Sequence, residues 1–551
     1  MHDPTQLQAI CDAVEGLVKG DGVRAAPILL GWAFILSRVH ASLVEQGVPD
    51  AYRALASSTL RIEDAQPLFQ AYASHALHPS SALFPTLLAV VTSPLLGSQH
   101  AAASDPNALG YASVLRTLLT ALPLLVRLSF LTPEQYAGLV DTVAAIYGTS
   151  AGSTLCTHFW LAYYAANEGQ PVGPTAAGER EIVELAQSRF PVQFGPFIKL
   201  ALGLADVPAA ISSSHDDGQE DSAAGEHPAQ VAAQRTADLL ARLPSLTHVV
   251  HPTLGLPPAY EEHGYIGDIP RYRCVRAIAV SRGVVVPVGT LGTLVSERSR
   301  KPVVISWDLN WSAWKLFADV LEEAAMPRKA VAAVQADVFG GGSRAGEPVA
   351  LPIEWDSDSE RAADITTIVD LFRTTITNRP SLAHSLVQHM AEGKAESYHF
   401  IEVVFRLLER SLANQAAAPS KLVSSLLGLV SNMLSSTPGA IWAFLRGSNV
   451  LFPAPTATTT ARWGHDSSRN AILAAERVAG TYPTTLSLID LIHALVLEEQ
   501  ISACAVTEPA FAAMKQGVLV RALSWVRDEI WTQYGSWRFT DLAEKYELAK
   551  R

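Results

Sequence analysis

The residues that first invite a chemical reading are Gly148-Thr149-Ser150-Ala151-Gly152, which have the G-x-S-x-G spacing of a nucleophile elbow. An elbow needs a strand before the serine and a helix after it, so that the hydroxyl stands exposed on a strained turn. Here the preceding stretch is TPEQYAGLVDTVAAIY. Thr132 and Gln135 have capping-box spacing and Pro133 suits a first helical turn, so a helix leads into Gly148. Gly148 then fits a helix C-cap, and Ser150 the N-cap of the next helix. No HGGG-type oxyanion element accompanies the motif, so hydrolase chemistry at Ser150 is the enzymatic alternative and not the reading adopted.

The other reactive types are placed no better for chemistry. The glycine run 340–342 lacks a following Lys-Ser or Lys-Thr, so nothing would reach the β- and γ-phosphates of a nucleotide. Gly289 and Gly292 read as turns between strands. His384 and His389 are five apart, on different faces of a helix, and His399, His465 and His493 show no metal-ligand spacing. Cys11, Cys156, Cys274 and Cys504 lie far apart, which suits buried thiols in a reducing compartment and neither a zinc set nor a disulfide framework. The residues therefore predict a protein that is not an enzyme, with no catalytic residue, metal site or cofactor.

One aromatic cluster is left as a binding candidate. Trp307, Trp311 and Trp314 could line a peptide groove, as aromatic side chains do where Pro-rich ligands dock. The other reading makes the same rings the core of a small β unit and its seam with neighbouring helices.

The elements that would carry these residues are mostly helical. The chain has 551 residues, 49% hydrophobic and 17% charged, against a usual charged share of about 25%. So apolar a chain must bury many faces. Its net charge is −12 with no long Lys/Arg run, so the footprint of a nucleic-acid binder is missing. The first residues have no apolar leader and read as an amphipathic helix, with Asp3 as cap and Leu7, Ile10, Cys11 and Val14 on one face. The most apolar stretch, 111–131, contains Arg116, Pro123 and Arg127 and reads as a helix pair or a kinked helix rather than a membrane span. No transmembrane segment is expected.

Helical patterning covers 1–205, with helices around 27–44, 66–77, 83–96, 111–131, 133–147, 153–168 and 177–204. Residues 206–228 are polar and acidic and read as a disordered loop. A helix and connector fill 229–264. At 265–318 the period changes to 2, with Val303, Ile305 and Trp307 opposed to Val304, Ser306 and Asp308, and four or five short strands suggest a small SH3-like β-barrel. Helices and a Gly/acidic loop occupy 319–361, and helices return over 362–551, with stripes at Ile365, Ile368, Val369 and Phe372, at Ile401, Val404, Phe405 and Leu408, and at Leu488, Leu491, Ile492 and Leu495. No fixed repeat period emerges. The predicted fold is mostly α: an irregular HEAT- or armadillo-like α-solenoid with an inserted SH3-like barrel.

Four segments resemble the large inner-ring scaffold nucleoporins of the 188-kDa class: PILLGWAFILSRV (27–39), VVVPVGTLGTLVSERSRKPVVISWDLNWSAWKLF (284–317), LVSNMLSSTPGAIWAFLRGSNVLFP (429–453) and EIWTQYGSWRF (529–539). The resemblance implies a structural, non-enzymatic scaffold subunit of the nuclear pore complex at the nuclear envelope, supporting nucleocytoplasmic transport. It implies contact with a linker nucleoporin of the inner ring, and in some members with Phe-Gly repeats or transport receptors. Members are much longer, so this sequence corresponds to a fragment of the N-terminal half, short of the tail where the linker is expected. The competing expectation is a cytosolic solenoid adaptor with an SH3-like peptide-binding module.

Overall fold

The computed structural model describes residues 3–19, 22–58, 66–93, 106–128, 131–149, 152–167, 173–207, 227–250, 257–267, 269–281, 283–295, 303–326, 360–392, 394, 399–413, 420–448, 451–452, 468–502 and 509–550. Ser150, Cys504, His465, the glycine run 340–342 and nearly all of the expected acidic loop lie outside them. The chain forms two compact units, Met1–Thr236 and Ala237–Arg551. Helices dominate, with one small antiparallel sheet.

The first unit is helical among its described residues. Helix α1 (Pro4–Lys19) starts where the Asp3 carboxylate accepts from Thr5 N at 2.9 Å. It buries Leu7, Cys11 and Val14, while Ile10, at the margin of that stripe, is 39% exposed. Next come α2 (Gly22–Gln46), α3 (Arg53–Ser58), α4 (Leu68–Ala76) and α5 (Leu83–Val91). Helix α2 is apolar most of the way round and packs against α1, α4 and α5. The apolar stretch divides into α6 (Pro106–Thr120) and a single turn, α7 (Leu122–Leu125), because Pro123 cannot extend the first helix. Helix α8 (Pro133–Tyr147) has the capping box of Thr132 and Gln135, and Gly148 caps its C-terminus. Helix α9 (Gly152–Asn167) follows. The stretch expected as one helix over 177–204 is two, α10 (Pro174–Arg189) and α11 (Phe194–Ala205), separated at Pro191. Residues Ala25–Gln46 and Asn107–Leu125 have the length and apolarity of membrane spans. Both are packed against other helices, and Arg116 of the second is ion-paired to Glu179 of α10.

Two glycines set how closely these helices approach. A Cβ at Gly178 of α10 would lie 1.8 Å from the carbonyl oxygen of Thr120 on α6, and one at Gly203 of α11 would lie 2.6 Å from that of Ala144 on α8. Backbone against backbone leaves no flexible group to yield. Gly178→Ala is expected to lose about 3 kcal/mol, the upper end of overpacking costs. Gly110→Ala on α6, where a Cβ meets nothing within 4 Å, should be neutral or gain about 0.5–1 kcal/mol from helix propensity. Urea denaturation of the two variants checks the contrast.

Helix α12 (Pro228–Ala241) leads into seven strands. These are β1 (Leu243–Val250), β2 (Tyr260–Ile266), β3 (Ile269–Cys274), β4 (Ile278–Ala279), β5 (Val285–Val286), β6 (Leu291–Leu294) and β7 (Val303–Trp311). Five form one antiparallel sheet in the order β1-β7-β6-β3-β2, and β4 pairs with β5 alone. Among the described residues nothing joins β1 to β2, so the sheet is open and not a closed barrel. It also starts earlier than expected: Leu243–Val250, read as connector, is an edge strand. Its pairing partner is β7, so no local hairpin signals it. A register shift between Leu243 and Ser245 blurs its alternation as well.

The second unit continues with α13 (Ala313–Ala325), α14 (Glu360–Asn378), α15 (Leu382–Ala391), α16 (Phe400–Ala413), α17 (Ser420–Met433) and α18 (Pro438–Gly447). After these come α19 (Ser468–Ala479), α20 (Pro483–Ser502), α21 (Pro509–Trp525), a π-helical turn Val526–Trp531 and α22 (Leu542–Lys550). The expected stripes are buried, with Ile365, Ile368, Val369, Phe372, Val404, Phe405, Leu408, Leu488, Leu491, Ile492 and Leu495 in the core, except Ile401, which is half-buried. Helix α14 packs on α17 and α17 on α20, while α13 packs on α15 and α16. Among the described helices, several thus meet another three places along the chain, as well as near neighbours.

Candidate functional site

All three candidate tryptophans sit where the sheet meets the helices of the second unit, and all three rings are buried. Trp307 lies in mid-β7, opposite Leu246 of β1 and Gly292 of β6, and is fully buried. Gly292 is a strand residue, not a turn. A Cβ there would stand 2.7 Å from Trp307 Cε3 and 2.8 Å from Ile305 Cγ2, so glycine makes room for the indole. Trp311 closes β7 and donates Nε1–H to the carbonyl of Ser245 at 2.7 Å. Trp314 opens α13 and donates Nε1–H to the carbonyl of Ala237 at 3.2 Å. Its ring meets Phe317 edge-on at 5.6 Å and Phe372 of α14 at 4.8 Å, and Phe372 passes the contact to Phe400 of α16 at 5.4 Å.

This arrangement suits a structural seam. Each indole contributes a large apolar area, and Trp311 and Trp314 anchor their polar ends on backbone carbonyls. A groove of the kind that captures Pro-rich peptides needs ring faces open to solvent.

A polar clasp that sequence reasoning missed lies on the same seam. Lys394, 9% exposed, pairs with Asp319 and with Glu322 of α13 at 2.8 Å. The Asp319 carboxylate also accepts from Gly283 N, between β4 and β5, at 2.9 Å. The partners are 75 and 72 residues apart, so no motif announces them.

The other candidates that lie among the described residues sit in structural settings. Gly148 follows a helix, so the strand that an elbow needs is absent before it. Cys11, Cys156 and Cys274 are buried, and burial pushes each thiol up, away from the reactive thiolate. Cys156 Sγ lies 3.0 Å from the carbonyl oxygen of Leu204, which also accepts from Trp160 Nε1 at 3.2 Å. Among the described residues no His, Cys, Asp and Glu cluster could hold a metal ion.

The span from β7 to α22 matches a known family. Residues 304–550 fit the profile described as Nucleoporin Nup188, N-terminal subdomain III. Nucleoporin nup184 of Schizosaccharomyces pombe is 24% identical over 267 residues, which is 48% of this chain. Over this span the chain is similar to nucleoporins of the Nup188 class. The similarity points to the nuclear pore complex, at the nuclear envelope. The matched stretch spans about 15% of the length of nup184.

Proposed function

We propose that this chain belongs to a nucleoporin of the Nup188 class, a structural scaffold of the inner ring with no catalytic role, and that its helices form an irregular HEAT- or armadillo-like solenoid supporting nucleocytoplasmic transport. The observation that carries the reading is the packing of α14 on α17 and of α17 on α20, within the span that fits the Nup188 subdomain. A step of three helices is the habit of armadillo-type repeats, and such stacks offer long surfaces to extended partner segments. On this reading the sheet between α12 and α13 is an SH3-like insertion, and Trp307, Trp311 and Trp314 fix it to the stack. Partners are other nucleoporins, among them the linker of the inner ring, with Phe-Gly repeats and transport receptors as further ligands.

The test is a fluorescent and affinity tag on the gene product at its native locus. A punctate nuclear rim together with co-purification of inner-ring subunits is the expected result. Co-purification of an outer-ring assembly alone would refute the inner-ring scaffold. A vesicular or diffuse signal, with Pro-rich peptide binding lost in Trp311→Ala, would favour the cytosolic adaptor.

A further inference from the structure

Helix α21 carries, one turn apart, two residues that lower the stability of the protein as it stands. The first is Arg521. Its Nε and Nη2 are closed off from solvent and make no hydrogen bond, and no acceptor, carboxylate or ring partners it among the described residues. Burial acts on the guanidinium and pulls its basicity below the ordinary value, with no neighbouring charge to restore it. A buried cation with idle donors is destabilising. The second is Gly517, four residues earlier. Glycine is the poorest ordinary choice inside a helix, and no crowding calls for it: a Cβ there would meet Nη1 of Arg521 at 3.9 Å and nothing closer. The other cation of α21, Lys515, is answered by Glu498 and Glu499, and the helix itself contains no Asp or Glu. At 3.6 residues per turn, Ala513, Gly517 and Ser524 fall between Val520 and Arg521 around the helix. Small side chains therefore floor a strip. Val520, 65% exposed, bounds it on one side, and the guanidinium, with Nη1 toward Gly517, on the other.

We propose that this strip docks a segment of a partner protein that sets an acidic side chain beside an apolar one, the carboxylate over Gly517 against Arg521 and the apolar group against Val520. Charge selects this occupant. The guanidinium lacks a counter-charge, and a carboxylate supplies it through a charge-assisted bond to Nη1, the nitrogen that is not closed off. The absent side chain of Gly517 is what lets an oxygen come that close. A second copy would set Arg521 against Arg521, on chains that each carry a net charge of −12. One cation and one valine are too little for a lipid surface, which takes a broad apolar face and several basic residues. Two residues that weaken the free protein at one place, and that one bound carboxylate would satisfy together, are the mark of stability given up for binding.

The experiment uses the full chain and a fluorescein-labelled octapeptide in which Glu and Leu alternate, with Gln-Leu, Lys-Leu and phosphoserine-Leu octapeptides as controls. An extended alternating peptide sets its carboxylates on one side and its leucines on the other, as Arg521 and Val520 flank the strip. Fluorescence anisotropy reads binding, and thermal unfolding reads stability. The Glu-Leu peptide is expected to bind and the Gln-Leu and Lys-Leu peptides are not. Binding should weaken about tenfold or more in Arg521→Met and in Gly517→Leu, which fills the strip. Neither substitution should lower the melting temperature, and Arg521→Met should raise it by about 2 °C. Failure of the Glu-Leu peptide to bind would overturn the proposal. So would equal binding of the Gln-Leu peptide, binding of the phosphoserine peptide alone, or indifference to both substitutions. A melting temperature that falls in Arg521→Met would make the guanidinium a structural group and overturn it as well. None of these outcomes bears on where the protein sits in the cell.

Discussion

Glu179→Ala is expected to destabilise the first unit by about 3–5 kcal/mol, the cost of breaking a buried ion pair from one side. Glu179 on α10 is only 3% exposed, and it receives Arg116 of α6 through Nε and, at 2.9 Å, through Nη2. The hydroxyl of Tyr147, the last residue of α8, donates to the same carboxylate. Three helices are thus joined through one acceptor. Burial alone would lower the basicity of Arg116, but the hydrogen bond and charge of Glu179 more than reverse that, and the guanidinium ends well above its ordinary value. Tyr147 is held protonated chiefly by burial, with the Glu179 charge adding to it. Removal of Glu179 leaves a buried guanidinium and a buried phenol without their acceptor. Arg116→Met combined with Glu179→Leu should recover the part of the loss that comes from the buried guanidinium, while the Tyr147 hydroxyl stays without its acceptor. Thermal and urea unfolding of the single and double variants measure this, and a Glu179→Ala protein as stable as the parent would refute it. Gly178, one residue away, permits the close approach that makes the pairing possible.

The second large effect is expected at Lys515. This side chain is 1% exposed, yet it is charged and surrounded by acceptors. Its Nζ lies 2.9 Å from Glu498, 3.1 Å from Glu499 and 2.6 Å from Ser502 Oγ, all on α20, and 5.3 Å from the centre of the Trp442 ring. Trp442 Nε1 of α18 donates to Glu498 at 2.6 Å, so Lys515 on α21 indirectly fixes a third helix. Lys515→Met keeps the volume but leaves two neighbouring carboxylates with no cation between them. It should lose about 3–5 kcal/mol. Adding Glu498→Gln removes one of the two charges and retains an acceptor for Trp442, so the double variant should lie closer to the parent than the sum of the singles. Chemical denaturation of the set decides it, and additive losses would show that the two residues are not coupled.

The local elements of this protein are legible in short stretches of chain. Helix α8 was readable because Thr132, Pro133 and Gln135 satisfy its first turn within four residues of chain. The stripe from Ile365 to Phe372 was readable because a helix brings those positions onto one face whatever packs there. The change of period near residue 303 marked β7 for the same local reason.

Tertiary structure decided everything that depends on partners far apart in the chain. β1 had no hairpin mate, and its identity as a strand came from β7 alone. An open sheet and a closed barrel have the same strand patterns and differ only in which edges meet, and alternation along a strand carries no record of that. The tryptophans were visible as types, but Trp314 is covered by Phe372 arriving from a later helix, and Phe372 in turn meets Phe400. The charged groups in the core were the least legible. Arg116, Glu179, Lys394 and Lys515 look like surface residues in the sequence, because a charge in isolation belongs in water. Only the fold supplies the opposite charge within a few ångströms that makes the interior tolerable.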